Sequence, residues 1–143
     1  MIYRLIYLSS ATAGFRESDL DAILHSARKN NTKAGVTGLL VFHDGNFLQV
    51  LEGPRDAVED VYAHILQDPR HDGVARVIAE EAEERIFAEW EMAFLPVAGM
   101  PSQTRDGFVH LLGLRDSDTM DLASRDAACR AFLESFLLSV RGA

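Results

Sequence analysis

At 143 residues the chain fits one domain, and a domain of that size buries roughly two-thirds of the surface its unfolded form exposes, enough for a core without staples. Asp and Glu number 22 against 14 Lys and Arg, a net charge of -8 that would repel a phosphate backbone and argues against nucleic-acid binding. Hydrophobic residues make up 48% and mean hydropathy is close to zero, yet no run approaches the roughly 18 apolar residues of a membrane span. The start, Met1-Ile2-Tyr3-Arg4, is not leader-like, so the chain is expected in the cytoplasm and off the membrane.

Ile2 to Ser9 alternates Ile2, Arg4, Ile6 and Leu8 on one face with Tyr3, Leu5, Tyr7 and Ser9 on the other, the pattern of a strand. Ser18 with Asp21 resembles a capping box, and Leu20, Ile23, Leu24, Ala27 and Asn31 recur at helical spacing, which predicts a helix over 18–31. Val36 to Phe42 and Phe47 to Leu51 are apolar runs around an Asp44-Gly45 turn, hence antiparallel neighbours. Gly53-Pro54 opens a second helix with the apolar stripe Val58, Val61, Tyr62, Ile65 and Leu66, stopping near Asp68-Pro69. Val74 to Ala79 reads as a fourth strand, and Arg85 to Phe94 is expected to hold a fifth.

A Gly-, Pro- and Ser-rich stretch, Ala98 to Thr104, precedes a helical tail. There a short helix is predicted at Phe108 to Leu112, and helical spacing returns at Met120, Ala123, Ala127, Ala128, Phe132, Phe136 and Leu137. The single cysteine, Cys129, has no partner for an internal disulfide or a metal spacing and reads as a small buried hydrophobe. The fold class is therefore α+β: a ferredoxin-like βαββαββ sheet with two helices on one face, plus a C-terminal helical extension. The expected division is a domain over 1–96, then a linker and helical extension over 97–143 that is too short for a second catalytic domain.

Polar residues at apolar positions mark the site. Gln49 is a lone amide within Phe47-Leu48-Gln49-Val50-Leu51, and burying it unpaired would cost about 1–3 kcal/mol. Tyr7 and Ser9 share a face of the first strand, while Asn31 closes the stripe of the first helix. In this fold both helices cover one face and leave a cleft floored by the central first and third strands, suited to a flat ligand. Each residue also has a local explanation: a core phenol for Tyr7, a helix C-cap for Asn31, a side-chain partner for Gln49.

These residues resemble the BLUF family of flavin-binding blue-light sensors. The resemblance is carried by Tyr7-Leu8-Ser9, Asn31 followed by Val36-Thr37-Gly38, Phe47 through Gly53, Asp68-Pro69-Arg70-His71, and Phe87 with Trp90 and Met92, in matching order across about residues 1 to 96. It implies a blue-light photoreceptor, not an enzyme, with FAD held noncovalently between the two helices. Asn31 would pair with the ring edge and Asn30 pack beside it. Asp68, Arg70 and His71 would lie near the ribityl and phosphate end, and Ile23, Leu24, Ile65 and Leu66 would form apolar walls. By the same resemblance, light drives electron and proton transfer from Tyr7, and Gln49 rotates or tautomerises. A new hydrogen bond to the flavin then shifts absorption to the red until it decays in darkness. Ser9, Trp90 and Met92 join the photoactive group, the last two as the family's mobile pair.

No cyclase, phosphodiesterase or DNA-binding output segment is recognisable, so the resemblance is to a short stand-alone type acting in trans on a downstream protein. Phe132 and Phe136 are expected either to serve a homo-oligomer or partner interface or to pack on the sheet. Two other classes compete. A flavin-free ferredoxin-like module for regulation or dimerisation is one. The other is an enzyme of acylphosphatase type, which needs an Arg in the loop after the first strand, where Ala11-Thr12-Ala13-Gly14 offers none before Arg16.

Overall fold

Alternating side chains of the first strand, Tyr3, Leu5 and Tyr7, form the floor of the hydrophobic core and set the architecture around them. The computed structural model describes residues 1–43, 45–87, 93–96, 102–115 and 127–135. In chain order these form β1 (Ile2–Ala11), α1 (Glu17–Ala34), β2 (Thr37–His43), β3 (Asn46–Gly53), α2 (Arg55–Gln67), β4 (His71–Ala82), β5 (Ala93–Pro96) and α3 (Ser102–Arg115). Residues 127–135 are also helical. The class is α+β, with a five-stranded sheet in the order β4-β1-β3-β2-β5.

β1 pairs antiparallel with both β3 and β4, and β2 pairs antiparallel with β3. Leu20, Ile23 and Leu24 of α1 and Val58 and Tyr62 of α2 pack with Tyr3, Leu5, Tyr7, Phe47 and Leu51, so both helices lie on one face of the sheet. The alternate side chains Ile6, Leu8, Leu48 and Val50 are buried as well.

Local chemistry moves several boundaries. α1 begins before Ser18: the Arg16 backbone N–H donates to Asp19 Oδ2 at 2.9 Å, so the acidic back-bond belongs to Asp19 rather than to a Ser18–Asp21 box. It also continues past Asn31 to Ala34. Gly35, at φ 73°, then turns the chain, and the Val36 N–H donates to the Asn31 carbonyl at 2.9 Å, the closing bond of a Schellman motif. Gly53 permits a close approach at the end of β3, since a Cβ there would lie 2.8 Å from the Gly35 carbonyl oxygen.

Two compact units are present, Met1–Leu95 and Pro96–Ala143. Within the second, α3 covers more than the expected Phe108–Leu112 turn, taking in Ser102 to Thr104 from the expected linker. Phe108 and Phe132 stack with ring centroids 5.3 Å apart, and Leu111, Cys129 and Leu133 are buried with them. Of the two readings the sequence left open for Phe132, an interface or burial, the side chain is buried, against Phe108; Phe136 lies outside the described residues.

Candidate functional site

The β1–β3 register sets Tyr7 directly opposite Gln49. Both side chains point to the helix-covered face, and the Tyr7 hydroxyl donates a hydrogen bond to Gln49 Oε1. Tyr7 is fully buried and Gln49 nearly so, so each meets a desolvation cost that the other offsets. Burial pushes the phenol well above its ordinary value of 10.0, with Tyr62 and Asp68 adding to the effect, so Tyr7 keeps its proton. The Tyr62 ring lies 5.7 Å from that of Tyr7, centroid to centroid.

Above this pair opens a cavity of about 480 Å³ between α1 and α2. Of the residues expected around a ligand, Ile23, Asn30, Asn31, Gln49, Ile65, Asp68, Arg70 and His71 line it, and Tyr7 reaches it through Gln49. Leu24 packs in the core with Leu20 and Ile23 and does not line the cavity. Leu66 is 54% exposed; at the spacing of a helix it lies one step off the face that carries Val61 and Ile65, which form that wall instead. Trp90 and Met92 lie outside the described residues.

Asn31 is the polar anchor of the helix wall. Its side chain is 1% exposed, and Nδ2 is a buried donor without a hydrogen-bond partner among the described residues. An orphan donor of this kind costs about 1–3 kcal/mol unless a ligand meets it. Opposite, Asp68 and Arg70 form a bidentate pair, with Nε at 3.0 Å from Oδ1 and Nη2 at 2.8 Å from Oδ2. Burial alone would raise the Asp68 carboxyl, but the Arg70 hydrogen bonds outweigh it and hold the group below its usual 3.8. His71 Nδ1 lies 2.9 Å from Ser9 Oγ, which ties the rim of the cavity to β1. Burial lowers the His71 imidazole below 6.5, Asp68 opposing and Arg70 reinforcing the shift.

Further lining residues, which no motif in the sequence marks, are Ser26, Ala27, Lys33, Ala34, Asp60, Val61 and His64. The signal that finds most of them is helical periodicity. Ala27 and Ala34 stand four before and three after Asn31, and Val61 stands four before Ile65, so each pair shares a face. The small side chains of Ser26, Ala27 and Ala34 on α1 leave the space that larger residues would close.

Fold and site together define a small α+β ligand-binding domain whose floor is a buried phenol–amide pair. The family model for sensors of blue light using FAD matches residues 2–93. The photoactivated adenylate cyclase subunit beta of Euglena gracilis is 37% identical over 117 residues, which cover 75% of this chain and 14% of that protein. The blue light- and temperature-regulated antirepressor BluF of Escherichia coli (strain K12) is 27% identical over 97% of this chain and 34% of its own length. The structure of the BlsA photo-activated state superposes with a TM-score of 0.78 at 26% identity, covering 96% of each chain. The chain belongs to the BLUF family and is a blue-light photoreceptor. It spans a small part of the curated relatives it matches.

The residues present fit the flavin that the family uses. A flat ring system needs a slot with apolar walls and an edge that trades one donor and one acceptor, and an Asn side chain offers that pair. Ile23, Val61 and Ile65 supply walls, Asn31 the edge, and Gln49 the polar floor. A flavin-free regulatory module would leave Asn31 Nδ2 buried without a role. Among the described residues no group of His, Cys, Asp and Glu is arranged to hold a metal ion, and no helix is long and apolar enough to cross a membrane.

Proposed function

We propose that Tyr7 and Gln49 are the photoactive pair of this sensor, with Asn31 as the residue that orients the flavin above them. The observation that carries this reading is the Tyr7 hydroxyl bonded to Gln49 Oε1 beneath a cavity into which an unpartnered amide also points. When bound, the flavin supplies blue-light absorption and, once excited, an oxidant strong enough to draw on a buried phenol. Tyr7 suits the donor role because burial keeps its proton on Oη, so an electron given up to the flavin would be matched by movement of that proton toward its hydrogen-bond partner, Gln49.

Gln49 suits the switching role because its two ends are opposite in hydrogen bonding and nearly equal in shape. With Oε1 accepting from Tyr7, its NH2 is the donor end for other contacts. With the amide reversed, Nε2 meets Tyr7 Oη and the carbonyl faces the other way. Both arrangements fill the same volume, so the surrounding core need not repack for the exchange. Ser9 and His71 hold the rim beside the pair, and the Asp68–Arg70 pair fixes a guanidinium at the end of the cavity where a ribityl or phosphate group would leave it.

The chain works as a sensor without an enzymatic activity of its own and relays its state to a downstream protein in trans through the segment that contains Trp90 and Met92. Relatives named as a cyclase subunit and as an antirepressor support the use of such domains to control other activities. We place the chain in the cytoplasm, where a lone buried thiol such as Cys129 stays reduced. The deciding experiment is the absorption spectrum of purified protein loaded with FAD, before and after blue illumination. A red shift that reverses in darkness, and that is abolished in Gln49→Leu and in Tyr7→Phe, is expected. Protein that takes up no flavin, or a normal cycle in either variant, would overturn the assignment.

A further inference from the structure

Glu52 lies three residues after Gln49 on β3, and an odd separation along a strand puts its side chain on the opposite face of the sheet. It is fully buried, yet it carries a carboxylate. Its register partner on β1 is Arg4, whose Nε donates to Glu52 Oε2 at 2.9 Å. The remaining acceptor sites are spent on backbone rather than on side chains. The Ile86 N–H donates to Oε2 at 2.9 Å and the Phe87 N–H to Oε1 at 2.7 Å. Arg4 extends the same cluster by donating Nη2 to the Glu84 carbonyl at 3.0 Å.

The residues so held follow β4 and precede β5, the two opposite edges of the sheet. The backbone at residues 86 and 87 is thus bonded to β3 through the Glu52 side chain. Next door, Arg85 donates Nη1 to Thr37 Oγ1 at 3.0 Å and Nη2 to the Gly35 carbonyl at 2.9 Å, which ties the turn to the start of β2 as well. This buried carboxylate is bonded on both oxygens, to two consecutive backbone N–H groups and one guanidinium N–H, so removing its charge would leave those donors unmet. Charge-assisted bonds of this type are short, directional and sensitive to small displacements of the strand that bears them.

We propose that Glu52 is a positioning residue for signal output: it couples β3, which carries Gln49, to the backbone at Ile86 and Phe87, from which the chain runs on to Trp90 and Met92. The proposal rests on the reading of Gln49 as the switch and adds the mechanical link that leaves the pocket. Coupling between sites needs a physical element that responds to both, and the Glu52 carboxylate is bonded to the backbone on one side and borne by the switching strand on the other. Arg4 compensates its charge, with Nε 2.9 Å from Oε2.

Hydrogen exchange on the full-length, FAD-loaded protein tests this, in darkness and under blue light, for the wild type and Glu52→Gln. Gln keeps the shape but replaces one acceptor oxygen by a donor that faces the N–H groups it should receive. In the dark wild type, the amides of Ile86 and Phe87 are expected to be protected like those of β3, and Glu52→Gln should lower that protection at least 100-fold. The red shift should persist in the variant, while the light-induced change in exchange across residues 86–96 falls at least 5-fold. A clamp without an output role would leave that light-induced change intact, and this result overturns the proposal. So does fast exchange of Ile86 and Phe87 in the dark wild type, a measurement that needs no variant to fold. A wild type lacking the red shift would instead strike at the Gln49 reading, which separates the two failures.

Discussion

Tyr7 and Gln49 occupy opposed positions in the β1–β3 register and share one hydrogen bond, phenol to amide carbonyl, at the floor of the cavity. Gln49→Leu removes the acceptor and leaves the Tyr7 hydroxyl without its partner, at a cost of about 1–3 kcal/mol that the added apolar contacts partly offset. Flavin should still bind, since the walls and Asn31 are untouched, and the light-induced red shift should vanish. Tyr7→Phe should behave likewise. Light-minus-dark absorption of both variants checks this, with urea midpoints reporting the stability change.

Asn31 predicts a division between binding and folding. Its Nδ2 is a buried donor without a partner among the described residues, so Asn31→Ala removes a group that the flavin-free fold must bury at a loss. Flavin affinity should fall by about 10- to 100-fold, equivalent to about 1.4–2.8 kcal/mol. The unfolding midpoint of the flavin-free protein should hold or rise. Titration of apoprotein with FAD, followed by fluorescence quenching, gives the first quantity and urea denaturation the second. A midpoint lowered as much as the affinity would show that Asn31 serves the fold instead.

The pH dependence should carry the signature of His71. Its folded pKa lies below the ordinary 6.5 because it is buried, so the unfolded chain takes up the proton first as the pH falls through that value. The stability His71 contributes is therefore present above about pH 6.5 and is lost as the pH falls toward the folded value. Asp68, whose carboxyl is held below 3.8, acts in a lower window and does not mask this. Urea midpoints between pH 7.5 and pH 5, measured on the flavin-free protein, should fall more steeply for the wild type than for His71→Gln. Parallel slopes would remove His71 from the account.

Gly53 gives a test of the fold alone. A methyl group there meets the Gly35 carbonyl oxygen at 2.8 Å and Val36 Cα at 3.3 Å, both backbone atoms that cannot step aside cheaply. Gly53→Ala should destabilise by about 1–3 kcal/mol, as overpacking in a core does. Thermal denaturation followed by circular dichroism measures it, and an unchanged midpoint would mean that β3 and the α1–β2 turn do not approach as described.

Much of this was legible in the chain because burial writes a period into it. The two-residue alternation from Tyr3 to Ser9 located β1 and the face that bears Tyr7, and the apolar runs about Gly45 located the β2–β3 pair. Ends were less legible, because they depend on single backbone bonds. Asn31 closes the apolar stripe of α1, yet its carbonyl caps the helix from within the last turn, so the helix outlasts its own pattern. Likewise β4 begins at His71 and ends at Ala82, beyond the apolar Val74–Ala79, because it pairs along β1 through two register shifts that side-chain pattern does not record. Leu66 shows the other limit: an apolar residue in a stripe of five can still fall on the solvent side when the stripe is wider than the face that packs. Glu52 stands within the Phe47–Gly53 motif, but the partners of its carboxylate, Ile86 and Phe87, come more than thirty residues later, beyond the reach of local pattern.

The Asp68–Arg70 pair has a consequence for how the sensor is loaded. Among the described residues around the cavity, the basic side chains Lys33 and Arg70 are matched in number by the acidic Asp60 and Asp68, and Arg70 is already committed to Asp68 through three hydrogen bonds. Among the described residues an entering dinucleotide therefore meets no uncompensated basic funnel, in a chain whose overall charge of -8 repels it from a distance. Uptake should thus be slow at low ionic strength and quicken as salt screens that repulsion, while the occupied state, once formed, dissociates at a rate nearly indifferent to salt. Charge would govern arrival and shape would govern residence.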